Sequence, residues 1–148
     1  MRTIVSGNSE DGIQLNRGGS GGLVTIQNSL VENNGASGIK LEDTGGGFVT
    51  ISSTCIRKHG NANWAGIFLE RPASLNMTTQ DNNILSNFRG AAVNQPATGA
   101  RFEMKFNWWG DANGPSIATA GLGDPVTGPI DVVPFLGSAA PTRYPCPP

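Results

Sequence analysis

The sequence predicts an all-β fold in which the 148-residue chain winds into a parallel β-solenoid of about four turns. Two short motifs carry this prediction, because each recurs four times at nearly constant spacing. In the first motif, a glycine opens a segment of alternating apolar residues, and these glycines are Gly12, Gly38, Gly66 and Gly90. In the second motif, one residue separates two apolar ones, as in Val24-Thr25-Ile26 and Val49-Thr50-Ile51. A fixed period of this length indicates stacked repeats, each of which contacts only its neighbours.

Residues 24–49 illustrate one turn of the predicted solenoid. Its parts are strand 24–27, bend 28–29, strand 30–32, bend 33–37, strand 38–42 and loop 43–47. Three strands and three connections give a triangular cross-section. Side chains alternate between the inside and the outside along each strand, so Val24 and Ile26 are expected to point inwards.

Stacking these turns predicts four apolar columns inside the solenoid. The columns are Val24, Val49, Leu75, Phe102; Ile26, Ile51, Met77, Met104; Ile13, Ile39, Ile67, Ala91; and Leu15, Leu41, Leu69, Val93. Burial of an apolar side chain contributes about 1.5–3 kcal/mol, so continuous columns can form the core. A polar column is predicted at one bend, and it consists of Asn8, Asn34, His59 and Asn87. A stacked Asn can bond backbone groups that a tight bend leaves bare, and we interpret His59 as a substitute for Asn.

Composition and charge exclude several classes of protein. The net charge is −1 and no basic stripe occurs, so a nucleic-acid partner is not expected. No run of 18 apolar residues is present, which predicts no membrane-spanning helix. The sequence also predicts no cofactor and no metal site. The two cysteines are Cys55, placed at an inward strand position, and Cys146, near the end of the chain; no disulfide between them is expected.

The repeat in residues 24–41 resembles that of right-handed parallel β-helix proteins, the pectate-lyase-like superfamily. The segment Asn107-Trp108-Trp109-Gly110 and the later run 128–136 resemble the closing segment of many such bacterial proteins. The resemblance implies a right-handed helix, and it places the coils in residues 1–110 and a C-terminal cap in 111–136. It does not specify a function, because this fold hosts enzymes, adhesins and other proteins. Its members are often secreted or surface-exposed, but the sequence leaves localisation unknown.

The chain ends differ in character. Residues 137–148 contain four prolines and predict an extended tail. Trp108 and Trp109 are large enough to cover the last coil, although a sugar-stacking platform is the alternative. Ile4-Val5 matches Leu30-Val31, so the chain starts within a turn and leaves that turn uncovered. We therefore expect self-association through the first turn, or a longer helix of which this chain is a piece.

Enzymes of the superfamily usually bind substrate along one outer sheet face. On the outer face of the third strand, Glu42 and Glu70 lie one turn apart, about 5 Å by strand spacing. Such a spacing is typical of a retaining glycosidase, which makes this pair the candidate catalytic residues. Lys40, Phe68 and Arg71 are candidate ligand-binding residues nearby. A solvated face of mixed charge is the alternative. The sequence motifs of the superfamily's polygalacturonase and alginate-epimerase branches are absent, and no Asp cluster of the pectate-lyase type occurs.

The loop 59–65 departs from its counterparts in the other turns, and deviating loops on regular scaffolds often carry function. His59 and Trp64 are therefore further candidate ligand-binding residues, with Trp64 folded over an apolar edge as the alternative. We predict a non-catalytic repeat module that acts in self-assembly or in carbohydrate or surface binding, with a poly- or oligosaccharide as ligand. The alternative is a polysaccharide-active lyase or glycoside hydrolase, or a fragment of one, that uses Glu42 and Glu70.

Overall fold

The structure is a computed structural model that describes residues 3–16, 22–42, 45–59, 62–72, 74–117, 119–142 and 144–146. These residues form fourteen strands and no helix. The first seven strands are β1 (Thr3–Ser6), β2 (Ile13–Asn16), β3 (Leu23–Gln27), β4 (Ser29–Glu32), β5 (Ile39–Glu42), β6 (Gly45–Ser52) and β7 (Cys55–Arg57). The others are β8 (Ile67–Glu70), β9 (Ser74–Gln80), β10 (Asn83–Leu85), β11 (Ala91–Asn94), β12 (Phe102–Glu103), β13 (Val126–Thr127) and β14 (Ile130–Asp131).

The strands stack in three parallel sheets, which confirms the predicted β-solenoid of about four turns. One sheet has the order β1-β4-β7-β10, the second β2-β5-β8-β11-β13 and the third β3-β6-β9. Each strand pairs with the strand about one repeat later, and every pairing is parallel. A short fourth sheet joins β12 to β14. The described residues contain no helix that is long and apolar enough to cross a membrane.

Two of the four predicted apolar columns are confirmed along their whole length. Ile39 pairs with Ile13 on one side and Ile67 on the other, and Leu41 is likewise flanked by two leucines. The columns continue into β11 at Ala91 and Val93. Most of these side chains are fully buried and belong to one apolar cluster, which is the core of the solenoid.

The other two columns are shifted where the second turn meets the third. Val49 pairs with Met77, and Ile51 pairs with Thr79, so the predicted pairing of Ile51 with Met77 is wrong by two residues. The side chain of Leu75 lies outside the described part. An irregularity between Gly45 and Phe48 changes the register. The alternation of inward and outward side chains cannot reveal a shift of two residues, because the same side chains stay inside.

The predicted polar column is confirmed and is longer than expected. Asn8 donates from its backbone N–H (3.1 Å) and its side chain (2.8 Å) to Oδ1 of Asn34. The backbone N–H of Asn34 donates to Nδ1 of His59, and that of His59 donates to Oδ1 of Asn87. Asn87 in turn donates twice to Oδ2 of Asp124, at 2.9 and 2.8 Å. We call these five residues the first polar ladder.

A second polar ladder, consisting of Thr54, Asn82 and Asn107, occupies the other bend and was not predicted. The backbone N–H of Thr54 donates to Oδ1 of Asn82 at 3.0 Å. Asn82 donates from its backbone and side chain to Oδ1 of Asn107, at 3.1 and 2.9 Å. The amide group of Asn107 donates to the carbonyl oxygens of Thr79 and Met104. All three side chains are buried, so the ladder satisfies backbone groups that water cannot reach.

Each bend turns through a residue in the left-handed region, directly before its ladder residue. At the first ladder these residues include Asn33 (φ 53°), Lys58 (φ 58°) and Ser86 (φ 58°). The repeated glycines serve a different purpose. A Cβ on Gly38 would lie 2.7 Å from the carbonyl oxygen of Gly66 and 2.7 Å from the His59 ring. The glycines of the first motif are thus needed because the backbone packs tightly against the first polar ladder.

A disulfide joins Cys55 to Cys146, with their Cα atoms 5.7 Å apart, so the expectation of unpaired cysteines is wrong. Cys55 does not point inwards either. It alternates with Ile56, which is in the core, and packs outside the sheet with Leu30 and Tyr144. The tail crosses this outer wall: Asn83 exchanges two hydrogen bonds with the backbone of Ala140, at 2.9 and 2.8 Å. The tail is therefore fastened to the first sheet both covalently and by hydrogen bonds.

Residues 111–136 continue the stacking after Trp109. Strand β13 pairs with β11, so the second sheet gains a further strand, and β14 pairs with β12. The Trp109 side chain is fully buried in the core cluster, and its indole N–H has no hydrogen-bond partner among the described residues. Trp108 is half-buried and forms a bridge with Asn83.

Candidate functional site

The second sheet brings most of the predicted site residues together on its outer face. Parallel pairing puts Lys40 beside Phe68, and Glu42 beside Glu70. Arg71 follows directly after β8, at a bend where its backbone is left-handed (φ 47°). The site is therefore built by two neighbouring turns, with two side chains from the first turn and three from the second.

Lys40, Glu42, Glu70 and Arg71 form a closed set of ion pairs, which we call the charged quartet. The Lys40 Nζ lies 2.7 Å from Oε2 of Glu70 and 3.3 Å from Oε2 of Glu42. The Arg71 guanidinium lies 2.6 Å from Oε1 of Glu42 and 3.6 Å from Oε1 of Glu70. Each carboxylate thus has two cationic neighbours, and the repulsion expected between adjacent glutamates is relieved.

The contacts of the quartet hold Lys40 and Glu42 in their charged forms. Burial lowers the pKa of Lys40, but hydrogen bonds to and the charges of Glu70 and Glu42 outweigh it, so the net shift is upward. Burial raises the pKa of Glu42, but Lys40, Gln14 and Arg71 outweigh it, so the net shift is downward. Glu42 is therefore ionised at neutral pH, and Lys40 is a cation rather than a base.

Trp64 and Phe68 form an aromatic corner beside the quartet. Their ring centroids are 5.4 Å apart at an interplanar angle of 75°, an edge-to-face arrangement. The Lys40 Nζ lies 5.5 Å from the centroid of the Trp64 ring. Phe68 is buried with Ala65 and Ala92, whereas Trp64 packs against this cluster and stays half-exposed. The ring of Trp64 is thus held in place by both aromatic and cationic contacts.

A groove of about 350 Å³, which we call the aromatic groove, opens beside this corner. Its walls are Asn63, Trp64, Phe68, Glu70, Arg89, Ala92, Val93, Asn94 and Thr127. It combines an aromatic surface with amide, hydroxyl, carboxylate and guanidinium groups. Arg89 is half-buried in the groove wall, and no ion pair of Arg89 occurs among the described residues.

His59 lies elsewhere, because it is a member of the first polar ladder. Its Nδ1 accepts from the backbone N–H of Asn34, so Nε2 carries the proton and donates to the carbonyl oxygen of Val31 at 2.8 Å. The residue is 1 % exposed, and burial lowers the pKa of its imidazole. Both ring nitrogens of His59 bond groups inside the protein, and His59 does not line the aromatic groove. Its interpretation as a substitute for Asn agrees with these contacts.

Three polar residues of the groove were not among the predicted site residues: Arg89, Asn94 and Thr127. Asn63 belongs to the loop 59–65 that the sequence singled out. The repeat spacing already placed Asn94 beside Glu70, which is a signal that pointed to it. Thr127 reaches the groove only because β13 pairs with β11, a contact with no motif of its own. The described residues contain no group of three or more His, Cys, Asp or Glu that could hold a metal ion. Comparisons with protein-family models, curated proteins and solved structures find no significant match to this chain.

Proposed function

We propose that this chain is a non-catalytic β-solenoid module that binds an oligosaccharide in the aromatic groove. The observation that carries the proposal is the composition of the groove. Trp64 presents a half-exposed ring, and hydrogen-bonding side chains from three successive levels of the second sheet stand around it. Sugars have apolar ring faces and hydroxyl edges, so a site for them combines an aromatic surface with fixed polar groups.

The charged quartet supports this proposal because it fixes the groove's geometry. Lys40 contacts both carboxylates and the Trp64 ring, so the aromatic corner and the quartet form one connected unit. A site whose side chains are already ordered loses less conformational entropy on binding. Arg89 adds a positive charge, which favours a sugar that carries a carboxylate, such as a uronic acid.

Glycoside hydrolysis by Glu42 and Glu70 is less favoured by the same contacts. A retaining mechanism needs one carboxylic acid that is protonated and able to donate to the leaving group. The pKa of Glu42 is lowered, and both carboxylates are held by Lys40 and Arg71. This arrangement suits a binding surface better than an acid–base pair.

The repeat and the Asn107-Trp108-Trp109-Gly110 segment support a finer assignment. Their resemblance to the pectate-lyase-like superfamily favours a right-handed helix in which residues 111–136 cap the last coil. The burial of Trp109 in the core agrees with a capping role for that segment, because a solenoid end must cover its apolar cross-section.

Calorimetry with a tri-galacturonate and with the neutral cellotriose tests the glycan-binding proposal. We expect tri-galacturonate to bind more tightly, and Trp64→Ala to weaken its binding at least tenfold. Phe88→Ala is the matched control, because Phe88 is an exposed aromatic residue outside the groove. Arg89→Gln should remove the preference for the acidic sugar. Absence of binding by the intact protein to both sugars and to a glycan array would refute the proposal.

A second candidate function is self-assembly through the first turn. In the described part of the chain, β1, β2 and β3 each end their sheet, so one edge of each has unpaired backbone groups. Ile4 is 58 % and Leu23 73 % exposed, which adds apolar surface at this end. Open parallel edges with apolar neighbours favour pairing with another chain.

Light scattering over a hundredfold concentration range tests self-assembly. We expect a dimer or larger species that dissociates on dilution, and we expect Thr25→Pro to abolish it, because β3 would lose a backbone donor. A variant at the other end of the molecule, Leu122→Pro, is the control. A constant monomer mass at all concentrations would contradict this second function without affecting the first.

A further inference from the structure

A second cavity, of about 440 Å³, lies between the end of the first sheet and the tail. The residues on which the argument depends are Leu85, Trp108, Trp109, Leu122, Asp124 and Cys146. We call it the C-terminal cavity. Its volume lies within the range of small-molecule sites, which are mostly apolar with a few placed polar groups. None of its lining residues belongs to the aromatic groove, so the two sites are separate.

The walls of the C-terminal cavity are mainly apolar. Leu85 and Trp108 line the side formed by the first sheet, and Leu122, which is 87 % exposed, stands at its edge. The disulfide-bonded Cys146 belongs to the wall that the tail contributes. The cavity therefore offers aromatic and aliphatic contact to a ligand, and the disulfide helps to hold one of its sides.

Asp124 supplies the one carboxylate of this cavity. Its Oδ2 accepts both hydrogen bonds of Asn87, at 2.9 and 2.8 Å, which fixes the carboxylate at the end of the first polar ladder. The described residues provide no cationic side chain that forms an ion pair with it. Burial raises the pKa of Asp124 to about 6, although hydrogen bonds from Asn87 and Ser86 oppose the shift. At neutral pH the cavity thus contains a partly buried negative charge without a countercharge.

We propose that the C-terminal cavity binds a small ligand that carries a protonated amine on an apolar body. The ammonium group would pair with Asp124, and the apolar body would lie against Leu85, Leu122 and Trp108. An indole face next to a carboxylate also attracts a cation through its π-electrons. Charge complementarity selects this class, because an anionic ligand would be repelled by Asp124 and a neutral one would leave its charge uncompensated. This proposal does not rest on glycan binding.

Benzylamine and benzyl alcohol are matched probes, since both have one phenyl ring on a one-carbon linker and only the amine is charged. Binding is followed by two-dimensional NMR through the indole N–H signals of the three tryptophans. We expect benzylamine to shift the Trp108 and Trp109 signals and to leave that of Trp64 unchanged. We expect benzyl alcohol to bind at least tenfold more weakly than the amine.

The variant Asp124→Asn separates charge from shape, because an Asn side chain keeps an oxygen acceptor for Asn87. We expect it to lower benzylamine affinity at least tenfold and to leave the affinity for benzyl alcohol unchanged. Asp81→Asn, at an exposed position, is the control and should bind like the unchanged protein. A pH series on the unchanged protein gives an independent result if the variant does not fold. The affinity for benzylamine should fall as the pH drops through about 6, where Asp124 gains a proton.

The proposal is overturned if both probes bind equally, if Asp124→Asn binds benzylamine as tightly as the unchanged protein, or if only Trp64 responds. Absence of any shift at saturating benzylamine would also overturn it. Each of these outcomes leaves the sugar-binding result untouched, because the aromatic groove is measured with different probes and different variants.

Discussion

The first polar ladder and the charged quartet each contain one position of the repeat that is stacked in successive turns: Asn34 with His59 in the ladder, and Glu42 with Glu70 in the quartet. They differ in their exposure to water. The ladder residues Asn34 and His59 are buried, and their side chains bond backbone groups of neighbouring turns. In the quartet, the Arg71 side chain is 47 % exposed and those of Glu42 and Glu70 are 21 and 20 % exposed, although Lys40 is mostly buried. The groups of the quartet meet other side chains rather than backbone groups. Stacking alone therefore does not decide the role of a polar column.

Burial decides the role of a polar column, because the free-energy cost of losing a hydrogen-bond partner depends on whether water can replace that partner. A buried amide that loses its acceptor pays the full desolvation penalty, whereas an exposed charge is resolvated. We therefore expect the ladders to determine stability and the quartet to determine what the surface binds. The following predictions test this difference, from the largest expected effect to the smallest.

The second polar ladder should give the largest loss of stability. Asn107→Ala removes the acceptor of two Asn82 donors and the donor to the carbonyl oxygens of Thr79 and Met104. We expect the free energy of unfolding to fall by about 4 kcal/mol, measured by urea denaturation. Asn76→Ala, an exposed Asn on β9, is the control and should change it by less than about 0.5 kcal/mol. Equal losses for the two variants would contradict a structural role for the ladder.

Asp124 should make stability depend on pH, because burial raises its pKa from an ordinary value of 3.8 to about 6. The folded state then holds this proton more tightly than the unfolded state. The stability contributed by protonated Asp124 is complete below pH 4 and is lost as the pH rises through about 6. We expect Asp124→Asn to be more stable than the unchanged protein by about 3 kcal/mol at pH 8 and equally stable at pH 4.

The quantity to measure is the difference in the free energy of unfolding between Asp124→Asn and the unchanged protein, by denaturation at a series of pH values. His59 acts in the opposite direction, since its pKa is lowered by burial and its contribution is lost as the pH falls. That contribution is common to both proteins and cancels in the difference. A difference that does not change between pH 4 and pH 8 would show that Asp124 is solvated.

Gly38→Ala tests the close approach between the strands and the first polar ladder. The new Cβ would lie 2.7 Å from both the Gly66 carbonyl oxygen and the His59 ring, so the turns must separate. We expect a loss of about 2 kcal/mol in thermal or urea unfolding. Gly137→Ala is the control, because a Cβ there meets no atom within 4 Å. If both variants lose the same free energy of unfolding, the repeated glycines are needed for the backbone conformation of the turns and not for close packing against the first polar ladder.

Glu42→Gln should have the smallest effect on stability, because Lys40 keeps its shorter ion pair with Glu70. The other short ion pair of Glu42 is with Arg71, whose side chain is 47 % exposed, and partly exposed ion pairs contribute little to stability and are screened by salt. We expect the melting temperature to change less than it does in Asn107→Ala, Asp124→Asn and Gly38→Ala. In 1 M salt the change should be smaller still. A loss as large as that of Asn107→Ala would remove the distinction between ladder and quartet.

Much of this architecture could be predicted from the sequence, because a repeat multiplies a local signal. The isoleucine and leucine columns, the polar column of Asn34 and His59, and the clustering of Glu42 with Glu70 all follow from spacing. The shift that pairs Val49 with Met77 was missed, since moving a strand by two residues keeps the same side chains inside.

The contacts made by the tail could not be predicted from spacing. Cys146 is 91 residues away from Cys55, and Ala140 is 57 residues from Asn83, far more than one repeat. Nothing in the period of the coils indicates which wall a proline-rich segment will cross. Asp124 escaped notice for the same reason, because it joins the first polar ladder across 37 residues rather than one turn. The C-terminal cavity depends on these long-range contacts.

The disulfide also has a mechanical consequence. A solenoid pulled at its two ends can unravel one turn after another, because each turn contacts only its neighbours. The covalent link between Cys55 and Cys146, which are 91 positions apart, closes the chain between them into a ring that tension on the ends cannot open. Roughly 300 Å of extended chain is thereby withheld from stretching. A single-molecule pulling trace should gain that length when a reducing agent is added, so the bond acts as a limit on extension as well as a fastening.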